Sequence, residues 1–233
     1  MNQIRARKFI LLVLFIASVL LNRTAYAQGI VFDKKIVAKD SARFLLDSGH
    51  VKKKFWLGAG ELLISETTPW LVDNYIRKVD YTHITWQTVK YNLSPASWTW
   101  DNDAFTTNQF GHPYHGSLFY NSLRSNGYSF WQAVPASFAG SYLWETFAEN
   151  QPPAPNDFIN TGFGGITLGE MTYRLANKMV NNRSRGLKRQ LSEVIALLIN
   201  PVNGLTRIID GRWGRLWAIL WSMIHPTCIP SLT

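Results

Sequence analysis

The stretch "HPYHGSLFYNSLRSNGYSFWQAVPASFAGSYLWETFAE", residues 112–149, decides the fold, because its pattern is that of two helices joined by a short turn. Pro113 suits the first turn of a helix, where its missing N–H costs no hydrogen bond. Gly127 suits the position just after a helix, where a left-handed backbone conformation is common. The sequence therefore predicts a first helix over about residues 113–125.

The second helix of this stretch is predicted over residues 130–149, with Ser129 as its N-terminal cap. Pro135 is expected to kink or restart it. The run is uncharged before Glu145, so most of its faces are apolar or small.

Helical patterns continue on both sides of this pair. Residues 55–78 are predicted to form an apolar helix interrupted near Pro69, and residues 156–180 a further helix. Residues 185–201 are amphipathic, since their apolar residues recur at helical spacing. The residues that share this face are Leu187, Leu191, Val194, Ile195 and Leu198. The predicted fold class is all-α, a compact, membrane-associated bundle of roughly five to seven helices over residues 55–213.

The N-terminal segment has the three parts of a secretory signal. Basic residues precede the apolar run of residues 9–21, and small residues follow at 25–27. We expect cleavage after Ala27, followed by a basic tether over residues 28–54. The single cysteine, Cys228, excludes an intramolecular disulfide, so the exported fold depends on packing.

Charge is distributed unevenly along the chain. Residues 55–173 contain four basic and ten acidic residues, whereas residues 174–215 contain nine basic and two acidic residues. Basic flanks on an exported protein favour anionic lipid head groups as partners. Nucleic acid is not expected, because a nucleic-acid binder concentrates its basic residues on the working domain.

Two helices predict association with a membrane. Residues 129–144 are uncharged and rich in aromatic residues, and Gly162, Gly165 and Gly169 recur at helical spacing. Glycine in a helix interior costs about 1 kcal/mol per site, which close helix packing can offset.

Ionisable side chains stand out against this apolar background. Those singled out as candidates for catalysis are His112, His115, Glu145, Glu149 and Asp157. Three interpretations remain open. The two histidines with Glu145 or Asp157 offer ligands for a metal ion. His115 oriented by Glu149 or Asp157 offers acid–base chemistry.

The third interpretation, which the sequence favours, is a structural network that fixes the packing of three helices. Other polar residues would complete that network, and Glu170 with Arg174, one turn apart, is expected to be a structural ion pair. These further residues are Arg124, Glu170, Arg174, Asp101 and Asp103. The pattern identifies no cofactor.

Several motifs carry a family resemblance. "WDND" (100–103), "HPYHG" (112–116), a pair of glutamates after Trp144, "ND" (156–157) and "GFGGITLGEMTYR" (162–174) occur in this order. Over residues 55–213 the sequence resembles the bacterial domain-of-unknown-function family 3943. A looser likeness to VanZ-like membrane proteins covers residues 112–169.

The family resemblance implies a Gram-negative envelope protein without an established activity. It also implies that longer relatives carry β-rich sequence after the helical part. Residues 214–233 show no strand alternation, so that part is expected to be absent. This apolar tail is interpreted as a truncation product, with a short interfacial anchor as the alternative.

The leading functional hypothesis is a non-enzymatic envelope module, periplasmic or membrane-associated, at the outer membrane. It would bind lipid or an outer-membrane protein partner. The alternative is a membrane-interface hydrolase or transferase that acts on an envelope lipid or glycan through the five candidate residues.

Overall fold

Helices form the regular structure of the part of the protein that the structure describes. The computed structural model describes residues 52–180, 184 and 186–214, which all belong to one compact unit. This part of the chain contains seven helices and no strand, so the predicted all-α class is confirmed. The predicted signal segment, most of the tether and residues 215–233 lie outside the described residues.

The helices follow one another with short connections. Helix α5 has two α-helical parts, Pro155–Ile159 and Gly165–Val180, joined by the π-helical turn Asn160–Gly164. The other helices are α1 (Phe55–Leu71), α2 (Trp86–Asn92), α3 (His112–Arg124), α4 (Phe130–Phe147), α6 (Gly186–Ile199) and α7 (Pro201–Ile209). Two further π-helical turns are Val72–Arg77, which follows α1, and Thr107–Gly111, which precedes α3.

The predicted helix boundaries are close to those observed. Ser129 caps α4 as expected, in a reciprocal arrangement with Gln132. The interruption predicted near Pro69 lies three residues further on, where α1 gives way to the π-helical turn Val72–Arg77. No restart occurs at Pro135, because α4 continues through it. A proline removes one backbone hydrogen bond, and α4 continues for twelve residues after Pro135 in spite of that loss.

Helix α3 lies at the centre and contacts α1, α4 and α5. Its contacts with α5 advance in step along both helices, so the two run in the same direction. A Cβ on Gly116 would lie 1.9 Å from the Thr161 carbonyl oxygen, and a Cβ on Gly165 would lie 2.4 Å from the Gly116 carbonyl carbon. These glycines therefore allow the backbones to touch. Ser137 of α4 bridges the contact by donating to the Thr161 carbonyl at 3.0 Å.

Helix α6 turns its apolar face outward. The five apolar residues predicted to share a face are all exposed, with Leu187 at 76% and Leu198 at 73%. Its buried face instead carries two ion pairs, in which Glu193 binds Arg189 at 2.6 Å and Arg207 at 2.7 Å. Among the described residues, every helix falls short of the length or the mean hydropathy needed to cross a bilayer.

Candidate functional site

His112 lies where α3 and α5 begin side by side. Its Nδ1 is 3.2 Å from the Thr161 hydroxyl, which lies in the π-helical turn of α5. Its Nε2 is 3.2 Å from Asp157 Oδ1 and 3.9 Å from Asp103 Oδ2. The Nε2 atom is buried, and the geometry of neither contact is that of a hydrogen bond. The three side chains thus converge on a common point.

The loop before α3 supplies the two aspartates that the sequence assigned to a structural network. Asn156 of α5 holds this loop, since its side-chain amide donates to Asp101 Oδ1 and its side-chain carbonyl oxygen accepts from the Asp101 N–H. Asn156 also donates to Asp157 Oδ1 at 3.0 Å. Asn108 fixes Asp103 by donating to its main-chain carbonyl at 3.2 Å. The "WDND" and "ND" motifs therefore meet in space.

Glu145 and Glu149 lie one turn apart at the end of α4. The Ala154 N–H donates to Glu145 at 3.2 Å, and the Trp144 indole donates to Glu149. Asn92 of α2 ties down the same turn by donating to the main-chain carbonyl oxygens of both glutamates. Both carboxyl groups are thus held in place by neutral donors.

His115 packs between two aromatic rings one turn along α3. Its ring centroid lies 4.4 Å from that of Phe119 and 4.5 Å from that of Trp144. Its Nε2 lies 3.2 Å from the Ser65 carbonyl of α1. A carbonyl only accepts, so Nε2 carries the proton and Nδ1 keeps its lone pair. Burial lowers the pKa of His115 to about 4, so this imidazole is neutral at physiological pH.

Asp73 belongs to the same region, although the sequence analysis did not select it. It lies in the π-helical turn after α1, accepts from the Tyr81 hydroxyl and pairs with Arg77 at 2.8 Å. Its charge acts on His115 and Glu149. A carboxylate directly after an apolar helix is the one signal that pointed to it. We call the full set the acidic cluster: Asp73, Asp101, Asp103, His112, His115, Glu145, Glu149 and Asp157.

Positive charge is scarce in the acidic cluster. Among the described residues, Arg77 is the one lysine or arginine in an ion pair with a member. Burial raises the pKa of Glu145 and of Glu149, and the charge of Glu149 adds to the effect on Glu145. Burial, a hydrogen bond with Asp101 and nearby negative charge raise the pKa of Asp157 to about 8. Several of these carboxyl groups therefore hold protons at neutral pH.

All three π-helical turns of the described chain border the acidic cluster. One contains Asp73, one leads directly into His112, and one contains Thr161. Single π-helical turns inside α-helices occur frequently at functional sites. The backbone irregularity is therefore concentrated where the ionisable groups meet.

The arginines of the predicted network lie elsewhere. Arg124, at the far end of α3, is about 18 Å along the helix from His112 and binds both carboxylate oxygens of Glu170. Arg174 and the Tyr120 hydroxyl also donate to Glu170, at 2.7 Å each. Burial opposes ionisation of Glu170, but these donors outweigh it and lower its pKa to about 2. We call Tyr120, Arg124, Glu170 and Arg174 the ion-pair cluster.

Glu66 is a second carboxylate that the sequence analysis left out. It is buried on α1, neither carboxyl oxygen has a hydrogen-bond partner, and burial raises its pKa to about 9. The signal for it was a charged residue in an apolar helix, since Glu61 and Glu66 are the charged residues of α1.

The acidic cluster can hold a cation, move protons, or do both. Asp103, His112 and Asp157 each offer one ligand atom, and these atoms lie within 4.8 Å of one another. The protonated carboxyl groups of α4 can donate protons, and the neutral His115 can accept one. These groups come from α3, α4, α5 and the loop before α3, so only the folded chain brings them together.

The fold and the site define an all-α protein with carboxyl groups and histidines gathered where two glycine-packed helices begin. Residues 97–202 match the family described as Domain of unknown function (DUF3943). The resemblance predicted from the motifs is therefore confirmed. The match includes every member of the acidic cluster except Asp73. No curated protein and no solved structure matches the chain.

Proposed function

We propose that the acidic cluster is the active centre of a hydrolase or transferase that works at a membrane surface on an envelope lipid or glycan. The observation that carries this proposal is the gathering of six carboxyl groups and two histidines, among which Asp73 alone has an ion pair with a lysine or arginine of the described chain. Burying like charges together costs stability. Groups with strongly perturbed pKa values cluster at functional sites, because reactivity needs them.

Acid–base catalysis is the chemistry that these groups support. A carboxyl group that keeps its proton at neutral pH can donate it to a leaving group. Glu149 suits this role, because burial raises its pKa and the Trp144 indole fixes its orientation. The Nδ1 lone pair of His115 suits the opposite role of accepting a proton from an attacking water or hydroxyl.

Exposed aromatic side chains next to the acidic cluster support an amphipathic substrate. Trp100, Phe105 and Phe110 flank Asp101, Asp103 and His112 in the chain and are each more than 60% exposed. Aromatic side chains favour the head-group level of a bilayer. A lipid or lipid-linked glycan would place its tail against such residues and its polar group at the carboxyls.

The test uses Glu149→Gln, which keeps the shape of the side chain and its oxygen acceptor for Trp144. A strain that lacks the gene is complemented with parent, Glu149→Gln or Asp80→Asn, and its envelope lipids and glycans are profiled by mass spectrometry. Asp80 is an exposed aspartate that is not a member of the acidic cluster, so Asp80→Asn removes one negative charge without removing a proposed catalytic group.

We expect parent and Asp80→Asn to restore the same profile and Glu149→Gln to leave the deletion profile unchanged. Full restoration by Glu149→Gln, with equal amounts of protein in the envelope, would refute catalysis at this carboxyl group.

The exposed apolar face of α6 favours a second candidate, a non-enzymatic module that binds envelope lipid. Purified protein would then sediment with vesicles that contain an anionic lipid. Leu187→Ser with Leu198→Ser would release it, because these two side chains are the most exposed on that face. Equal sedimentation of this variant and the parent would remove α6 as the contact surface.

A further inference from the structure

We propose that Asp103, His112 and Asp157 form a binding site for one divalent transition-metal ion, of the class of Mn²⁺ or Zn²⁺. Any role of this ion in catalysis rests on the proposed function. The binding itself depends on geometry alone and can be measured without any substrate.

The separations of the ligand atoms fit a shared ion. His112 Nε2 lies 3.2 Å from Asp157 Oδ1 and 3.9 Å from Asp103 Oδ2. Ligands bound at roughly 2.1 Å to one ion stand about 3.0–3.4 Å apart. The Asp157 pair is already in this range, and the Asp103 side chain is 41% exposed and has room to move the remaining distance.

The buried nitrogen of His112 is the strongest sign of a missing partner. Nε2 has no hydrogen-bond partner, although Asp157 is near enough to provide one. A buried polar atom without a partner costs free energy comparable to a lost hydrogen bond. If the Nε2 lone pair is directed at an ion between the three side chains, the missing hydrogen-bond partner is explained.

Outer contacts hold the ligands as a metal site requires. The Thr161 hydroxyl is within hydrogen-bond distance of His112 Nδ1, so it can fix the tautomer that leaves Nε2 free. Asn156 donates to Asp157 Oδ1 and holds the Asp101 loop, and Asn108 holds the main chain of Asp103. Each ligand is thus positioned by a neutral side chain.

The surrounding carboxyl groups favour a cation, because a bound ion can replace the protons that these groups otherwise hold. Five carboxyl groups of the acidic cluster lack an ion pair with lysine or arginine in the described chain. One imidazole and two carboxylates suit Mn²⁺ and Zn²⁺, whereas Ca²⁺ and Mg²⁺ prefer oxygen ligands alone. Three protein ligands also leave coordination positions open for water or substrate.

The experiment measures metal binding by the mature full-length protein after treatment with a chelator. Mn²⁺ is titrated and free Mn²⁺ is followed by electron paramagnetic resonance; Zn²⁺, Ca²⁺ and Mg²⁺ then compete. Variants are Asp157→Asn, Asp103→Asn and the control Asp80→Asn. Asp103 is exposed, so Asp103→Asn tests the site without a risk to folding.

We expect one Mn²⁺ per chain in the parent and in Asp80→Asn, displacement by Zn²⁺, and at least tenfold weaker binding in both ligand variants. Absence of stoichiometric binding, equal affinity in Asp103→Asn, or displacement by Ca²⁺ or Mg²⁺ at similar concentrations would each overturn the proposal. Because no substrate is used, the two tests are independent. If the parent binds Mn²⁺ but Glu149→Gln fully restores the lipid and glycan profile, the proposed catalysis is refuted and the metal site is retained.

Discussion

The acidic cluster lies where α3 and α5 begin, and the ion-pair cluster lies further along the same two helices. Carboxyl groups have opposite surroundings in the two clusters. In the ion-pair cluster Glu170 accepts from two arginines and a tyrosine, and its pKa falls to about 2. In the acidic cluster the carboxyls meet other carboxyls, and the pKa of Asp157 rises to about 8. Both regions are mostly buried, so counter-charge, not burial alone, makes the difference.

This difference separates stability from reactivity. A carboxylate with matched donors holds helices together and has little tendency to bind anything else. A carboxyl group without counter-charge weakens the fold and is available to a proton, a cation or a substrate. The two clusters therefore predict opposite responses to the removal of one carboxylate.

The largest effect is expected for Glu170→Ala. Arg124 is mostly buried, and without Glu170 its charge would have no carboxylate partner. Breaking a buried ion pair from one side costs about 3–5 kcal/mol of unfolding free energy, measured by urea denaturation. Arg174→Ala is the matched control: Arg174 is 74% exposed, and we expect a loss below about 0.5 kcal/mol. Equal effects of the two variants would contradict a structural role centred on Arg124.

The sequence predicted most of the fold for local reasons. Helical spacing, the Ser129 cap and the small residues of α5 act within a few residues, and each was readable without tertiary information. The orientation of α6 was not readable, because an amphipathic pattern predicts a buried apolar face, whereas here that face is exposed. Glu193 decides this, since Arg207 of α7 and Arg189 both pair with it.

The sequence identified most residues of the candidate site, but it did not predict which of them lie together. The sequence placed Arg124 with the histidines, but α3 is long enough to keep them about 18 Å apart. Asp101 and Asp103 were assigned to structure because asparagine and aspartate in loops cap helices. Their position beside His112 depends on Asn156, which is more than 50 residues away in the chain.

Glu66→Gln tests whether a missing counter-charge costs stability as the comparison implies. The pKa of Glu66 in the folded protein is about 9, above its ordinary value of 4.5, so the folded state binds a proton more tightly than the unfolded state. Its contribution to stability is complete below pH 4.5 and is lost as the pH rises toward 9.

The variant has no proton to lose at this position. We therefore expect the unfolding free energy of Glu66→Gln, relative to that of the parent, to rise by about 2 kcal/mol between roughly pH 5 and pH 8. This is less than full linkage predicts, because water that reaches the ionised carboxylate of the parent lowers the cost of its charge. Urea denaturation at both pH values measures the gain. Parallel pH profiles would show that Glu66 is ionised in the folded protein and has a partner.

The smallest effect on stability is expected for Glu149→Gln, which changes the proposed catalytic carboxyl group. The glutamine side chain would keep an oxygen that accepts from the Trp144 indole, and the substitution would remove a charge that raises the pKa of Glu145. We expect the unfolding free energy at neutral pH to stay equal to that of the parent or to rise by about 1 kcal/mol, as at sites where reactivity is maintained at the cost of stability. Glu170→Gln, the same chemical change in the ion-pair cluster, should lower it, because Arg124 and Arg174 would lose their carboxylate. A loss of similar size in both variants would mean that the acidic cluster, too, serves to hold the helices together.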